Sequence, residues 1–227
     1  MASSLYVSAS RFTSASRAPA PTDHKSARLG KRILDVFAAV VLILLLLPAM
    51  LAAAIAVKLT SRGPLLFRQR RVGQGGREFR MLKFRTMRAD AEARLAQDPR
   101  LRDLYLASSH KIPNALDPRL TRVGRWLRTW SMDELPQLFN VLVGHMSLVG
   151  PRPVTRWQLT EYQEHVGDYL ALRPGLTGLW QVSGRSEVKF PARAEMDADY
   201  HARCSPWTDL AILARTPVAV ISRRGSD

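Results

Sequence analysis

A chain of 227 residues, 46% hydrophobic and 23% charged, has the size of one domain or of one domain with an appendage, and can bury a core without a disulfide or zinc staple. Its single cysteine, Cys204, excludes a disulfide framework and a multi-thiolate metal site. Its 34 Lys+Arg against 19 Asp+Glu, a net charge of +15, predict an anionic partner: nucleic acid, phosphorylated metabolites or an acidic membrane face.

Residues 1–27 are basic, rich in Ser and Ala, and read as a flexible tail resting on anionic lipid. The 22 residues from Val36 to Val57 then carry no charged or hydrogen-bonding side chain. That is enough for a transmembrane helix and too long for the apolar region of a signal peptide. Its flanks argue against a straight span. Arg28, Lys31 and Arg32 precede it, and ten Lys and Arg lie between Lys58 and Arg88 with Glu78 as the one acid. Positive flanks stay cytoplasmic, so both ends ask for the same side. Pro48, twelve residues into the run, can supply the reversal, because its ring removes a backbone bond and clashes with the Leu44 carbonyl. Residues 28–60 are therefore expected to form a re-entrant helix-break-helix, with a cytosolic domain over 61–227.

That domain is expected to be mixed α/β and helix-rich. Leu65–Val72 and Phe79–Arg85 flank a glycine cluster at residues 73–76, which predicts a β-hairpin. Lys83 and Arg85, two apart, are expected on one face. Residues 88–108 read as helix interrupted at Pro99, 124–130 and 131–142 as helices, and 158–169 as an amphipathic helix. The remainder, with Pro151, Pro153, Pro174, Gly175, Gly178 and Gly184, reads as loop.

The segment Ser131–Asn140 holds the sharpest local signal. Ser131 and Glu134 have capping-box spacing before an apolar run. A carboxylate in that first turn would lie at the positive helix end, where phosphate also binds. Ionised Asp133 can attack phosphorus, and Glu134 can hold a hard cation. Arg125 and Arg128 come just before; Arg152, Arg173 and Arg185 lie in tight Pro/Gly frames that suit a bidentate grip on phosphate.

Together these residues carry a resemblance. Lys31–Asp35, the Pro48-interrupted run, Phe67–Gln69, Lys83–Met87, Asp117–Arg119, Ser131–Asn140, Ser147–Pro153, Arg173–Gly178, Gln181–Arg185 and Trp207–Leu210 are similar, in one collinear order, to the bacterial sugar transferase family, the monotopic phosphoglycosyl transferases. The wording of Leu179–Arg185 resembles the rhizobial exopolysaccharide enzymes that load galactose phosphate onto lipid. The resemblance implies transfer of a hexose 1-phosphate from a UDP-sugar to undecaprenyl phosphate at the cytoplasmic face of the bacterial inner membrane, with UMP released. Asp133 is then the nucleophile and Glu134 the Mg²⁺ ligand. Lys83, Arg85, Arg128 and Arg152 contact phosphate, with Arg173 and Arg185 added by extension. Asp197 matches an acidic position of undefined role.

Two positions depart from the family pattern: Leu47 stands where Ser usually precedes the membrane proline, and His145 where Asp is usual. His24, His110, His165 and His201 show no ligand-like spacing. The contrasting reading, a membrane-anchored nucleic-acid-binding or regulatory protein, predicts a reading helix or aromatics interleaved with the basic residues. Neither is present in the sequence, so no nucleic-acid partner is expected. The sequence leaves the number of copies in an assembly open, a homo-oligomer included, and the identity of the sugar undefined.

Overall fold

The computed structural model describes residues 24–107 and 112–222; the expected basic tail lies, up to residue 23, outside the described residues, as does His110. Helix α1 (His24–Thr60) leads into an antiparallel hairpin of β1 (Leu66–Val72) and β2 (Glu78–Phe84). Then come α2 (Ala91–Gln97), α3 (Pro99–Ala107), α4 (Arg122–Thr129), a 3-10 turn at Met132–Glu134, α5 (Gln137–Leu142) and β3 (Ser147–Val149). The chain ends with α6 (Arg156–Leu159), α7 (Val166–Ala171), β4 (Gly175–Thr177), α8 (Leu179–Ser183), α9 (Ala192–Ala202) and α10 (Pro206–Ile221). The fold is mixed α/β and helix-rich, as expected. The hairpin and the helix restart at Pro99 also fall where the sequence places them.

Several expectations need correction. Pro48 lies inside α1 and does not divide it into separate helices. A proline forfeits one bond, and the Leu- and Ala-rich sequence on both sides keeps helical dihedrals around it. The helix also starts at His24, ahead of the expected boundary. Residues 131–142 are not one helix, because Ser131 has φ +56° and Pro136 caps a separate α5. Residues 158–169 break at Gln163, φ +48°. The segment read as loop contains α9 and α10. Helix α10 starts with Ser205 accepting from the Thr208 amide at 3.1 Å and Pro206 in its first turn, a position where proline is tolerated.

Helix α1 is bolted to the domain at two levels. Near its start, Lys31 Nζ donates to the Val149 carbonyl (3.1 Å) and pairs with Asp209 of α10. Arg32 donates to the Val141 and Leu142 carbonyls at the end of α5 (2.6 and 2.8 Å), where a cation also answers the helix dipole. Buried Asp35 accepts from Ser147 Oγ and the Leu148 amide, both at 3.0 Å. Ala39 then joins a core with Phe79, Met81, Leu138, Val141, Met146 and Leu148. At the second level Met50, Ala53 and Val57 pack with Phe84 and Leu127. The opposite face, including Leu44, Leu45, Leu51, Ile55 and Leu59, is exposed. An apolar face of this extent marks a membrane or protein contact.

Backbone contacts without side chains set the distances between elements. A Cβ at Gly124 would overlap the Thr86 carbonyl, so α4 directly meets the backbone two residues past the end of β2. The parallel pair Ser147↔Gly175 and Val149↔Thr177 brings Gly150 and Gly175 into the same kind of contact. Gly124→Ala is expected to lower stability by about 2 kcal/mol or more, since the obstacle is backbone rather than a yielding side chain. A denaturant titration beside a surface Gly167→Ala control, where a Cβ meets nothing within 4 Å, checks this.

Candidate active site

The hairpin register decides which basic residues turn inward. Phe67↔Lys83, Gln69↔Met81 and Arg71↔Phe79 share one face, and Arg68, Arg70 and Arg80 lie on the other. From the inner face Lys83 Nζ reaches Glu134 Oε1 at 2.7 Å and Asp133 Oδ2 at 3.9 Å. From the loop after β3, Arg152 grips the same Glu134 with two nitrogens, at 2.6 and 3.3 Å. Lys83, Asp133, Glu134 and Arg152, drawn from separate stretches of chain, thus converge.

The local device holding the pair differs from the one expected. Ser131 is no helix cap: its side chain makes no cap bond and instead accepts from Arg185 Nη2 at 2.7 Å. Asp133 and Glu134 occupy the 3-10 turn, and side-chain cations rather than a helix dipole balance their charge. Arg152 and Lys83 hold Glu134 ionised, far below the usual carboxylate range despite its burial. Asp133 goes the other way. Burial pushes its carboxyl up and the Glu134 charge adds to this, while Lys83, Arg128 and Arg152 only partly offset it.

Arg128 donates to Thr86 Oγ1 at 3.0 Å, which aims it from the end of α4, and burial lowers its pKa. Arg185 bridges Ser131 and the Ala219 carbonyl (3.2 Å) beside the pair. Two expected phosphate contacts are not brought here. Strand β2 ends at Phe84, so the alternation that links Arg85 to Lys83 stops. Arg85 is buried and donates to Ser61 O and Oγ at 2.7 and 2.8 Å, just past the end of α1, where a cation meets the negative helix terminus. Arg173 makes no side-chain bond among the described residues; its carbonyl lies against Gly150.

Other residues were missed by sequence reasoning. Arg71, inside a basic run that looks lipid-facing, points inward to Gln158 and Gln69 (2.9 and 2.7 Å). Burial, then the Arg152 charge, lowers it to about 10. The signal was available, because in an antiparallel register it shares a face with Lys83. Asp197 gains a setting: it is buried, accepts from Tyr162 at 2.7 Å and is pushed up to about 7, chiefly by burial. Arg193, stacked on Trp180 at 4.4 Å, lies close enough to lower its carboxyl in part. His165 and His201, given no role from spacing, both meet Asp168, at 3.2 and 2.8 Å. His145 sits by Phe79, ring centroids 5.7 Å apart, in a hollow with Arg68 and Arg80. It is not among the partners of Glu134.

No cluster of three or more His, Cys, Asp or Glu side chains among the described residues could hold a metal. The site offers two adjacent carboxylates, which fits the way Mg²⁺ binds: one or two carboxylates, with water and substrate phosphates completing the shell.

Residues 26–223 match the family described as bacterial sugar transferase. The chain belongs to this family. The exopolysaccharide production protein ExoY of Rhizobium meliloti is 43% identical over 201 residues, 87% of this chain and 88% of that protein. The UDP-galactose-lipid carrier transferase of Erwinia amylovora is 42% identical over 205 residues, 88% of this chain but 42% of that protein. The UDP-glucose:undecaprenyl-phosphate glucose-1-phosphate transferase of Xanthomonas campestris is 41% identical over 204 residues, 86% and 40% of the two chains. The chain thus spans about two fifths of these longer relatives. In a bacterial sugar transferase of this length, the matched region includes both levels of α1 attachment and the Asp133–Glu134 turn.

Proposed function

We propose that this chain transfers a hexose 1-phosphate from a UDP-sugar to undecaprenyl phosphate, the first membrane step of exopolysaccharide or other lipid-linked glycan synthesis. One observation carries the reading: a buried pair of carboxylates faces a surplus of cations. Lys83, Arg128 and Arg152 surround Asp133 and Glu134, with Arg71 and Arg185 close behind. Such a surplus is stable only beside an anion, and a diphosphate with an incoming phosphate supplies it. The names of the Erwinia and Xanthomonas relatives, a galactose-lipid and a glucose 1-phosphate transferase, support a galactosyl or glucosyl donor.

The chemistry is a double displacement. An ionised Asp133 oxygen attacks the sugar-linked phosphorus, the bond from that phosphorus to the bridging oxygen breaks, and UMP departs with the electron pair. A phosphate oxygen of the lipid then attacks the same phosphorus, the aspartyl bond breaks, and Asp133 is free again. Lys83, placed between both carboxylates, and Arg128 draw the raised Asp133 carboxyl toward ionisation. Arg152 and Arg185 bind equatorial phosphate oxygens. Glu134, with Asp133 beside it, would hold Mg²⁺, whose charge offsets that of the phosphates.

The same reading places α1 in one leaflet of the inner membrane, with the site at its cytoplasmic face and anionic lipid around its basic flanks. Its attachments support this. Between Ala39 and Met50, both buried against the domain, lies about 16 Å of helix at 1.5 Å per residue. That is half of the roughly 30 Å of hydrocarbon a span must cross. Screening UDP-sugars for UMP release in the presence of undecaprenyl phosphate tests the reaction. Release is expected with UDP-galactose or UDP-glucose, lost on chelation and restored by Mg²⁺. Full turnover in excess chelator would remove the metal role from Glu134.

A further inference from the structure

The outer face of the hairpin carries an unbalanced charge. Arg70 stands directly opposite Arg80 in the strand register, and Arg68 follows on the same face. Like charges directly opposite each other weaken a strand pair. Glu78, the one acid on this face, is engaged by Arg156 at 3.1 Å. No ion pair among the described residues reaches Arg68, Arg70 or Arg80. Between this face and α5 lies a hollow of about 230 Å³, lined by Arg68, Arg80 and His145 and by the apolar Leu82, Phe139 and Val143. Its frame is fixed: the Asn140 side chain accepts from the Leu82 amide and donates to the Arg80 carbonyl, both at 2.9 Å. Lys83 is on the opposite face of the hairpin, so the hollow is separate from the Asp133–Glu134 turn.

We infer that this hollow seats the phosphodiester headgroup of an anionic phospholipid; the inference rests on the proposed membrane placement of α1 and not on the transfer reaction. The charge calls for a phosphate. Guanidinium groups offer paired N–H donors to phosphate oxygens, and Arg68 and Arg80 present them from neighbouring strands. The position calls for a lipid. Arg32 of α1 holds the end of α5, and Leu142 packs in one core with Ala38, Leu42 and Ile43 of α1. Val143, the next residue, and Phe139, one turn earlier, are exposed at the hollow, and Val40, Val41 and Leu44 are exposed on α1. Acyl chains beside α1 can cover Phe139 and Val143 while their headgroup reaches the arginines. A free phosphate would leave both apolar side chains in water, and a zwitterionic lipid would leave the arginine charge unbalanced.

The test reconstitutes the full chain in phosphatidylcholine vesicles doped with a phosphatidylglycerol that carries a diazirine near its headgroup. Light should label the stretch from Phe139 to His145. Unlabelled phosphatidylglycerol should compete, whereas added phosphatidylcholine and inorganic phosphate should not. Arg68→Gln with Arg80→Gln should lower labelling of that stretch by about tenfold or more, since each cation near an anionic lipid surface strengthens binding about fivefold. His145→Asp, which puts an anion in the hollow, should lower it as well. Lys58→Gln with Arg62→Gln, at the other end of α1, should leave it unchanged. A second readout is thermal. Replacing part of the phosphatidylcholine by phosphatidylglycerol should raise the Tm of the wild type more than that of the Arg68/Arg80 variant. Equal labelling and equal Tm shifts in wild type and arginine variant overturn the inference, and competition by inorganic phosphate replaces the lipid with a free anion. A chain that does not float with the vesicles at all would overturn the membrane placement of α1 as well. One that floats but labels elsewhere overturns the headgroup site alone.

Discussion

Asp133→Asn is expected to abolish turnover, by about three orders of magnitude or more, and at the same time to make the protein more stable at neutral pH. The catalytic loss follows from chemistry: an amide cannot attack phosphorus, and the remaining cations can only position the donor. The gain follows from burial. The folded protein holds the Asp133 carboxyl above its ordinary range, so between the unfolded and folded values the native state binds a proton that the unfolded chain has released. Stability therefore falls as pH rises through that window. Asparagine escapes this penalty. The variant should melt higher than the wild type near pH 7, by an amount of order 1 kcal/mol, and the two should converge below the ordinary carboxylate range. Thermal melts across pH, with UMP release on the same samples, check both halves. A variant that is inactive because it is unfolded would contradict the assignment.

Glu134→Gln should act with the opposite sign on stability. Glu134 is held far below its usual range by Arg152 and Lys83, so its contribution is full above the unfolded carboxylate value and disappears only as pH falls through the folded one. Removing its charge takes the closest anion from Lys83 and Arg152 and leaves them only Asp133, a more distant carboxyl that burial makes harder to ionise. Breaking such a pair from one side costs about 3–5 kcal/mol, or roughly 10 °C in Tm for a domain of this size. Turnover should also collapse, because both cations lose the anchor that aims them. Pairing Glu134→Gln with Lys83→Met separates these causes: the double variant should recover part of the stability, an interaction of about 1–3 kcal/mol, without recovering activity. Strict additivity would mean the 2.7 Å contact carries no net coupling.

The two carboxylates lie side by side in one turn, yet the surroundings drive them apart. Glu134 collects the cations and remains a fixed anion. Asp133, whose ion pair among the described residues is the 3.9 Å contact with Lys83, keeps a reactive lone pair under little direct hydrogen bonding. Activity should accordingly rise with pH through a group titrating above the ordinary carboxylate range.

Local chemistry was readable where local signals decide the structure. The glycine cluster after Val72 announces the hairpin, Pro99 announces a helix start, and Asp133, Glu134, Arg128 and Arg152, singled out in the sequence, are brought together by the fold. Signals that depend on distant partners misled. Ser131 has the residue types of a capping box, but Arg185, 54 residues away, recruits its hydroxyl, and the backbone turns left-handed instead. Arg85 follows the strand alternation from Lys83, but the strand has already ended, and the helix terminus at Ser61 takes the guanidinium. Strands β3 and β4 are three residues each and pair only because Gly150 and Gly175 allow direct backbone contact, a fact no periodicity records. The attachment of α1 is half legible: the basic flank is plain, whereas the split into Lys31 for α10, Arg32 for α5 and the Asp35 carboxylate for β3 needs the fold.

Intact-protein mass spectrometry after incubation with donor alone tests the central claim most directly. The purified full chain, given UDP-galactose or UDP-glucose and Mg²⁺ but no lipid acceptor, should gain the mass of one hexose phosphate while one equivalent of UMP appears. The adduct should map to the peptide containing Asp133, vanish in Asp133→Asn, and be discharged by undecaprenyl phosphate. An active enzyme that shows no adduct and releases UMP only when acceptor is present, or an adduct that survives in Asp133→Asn, would contradict the account.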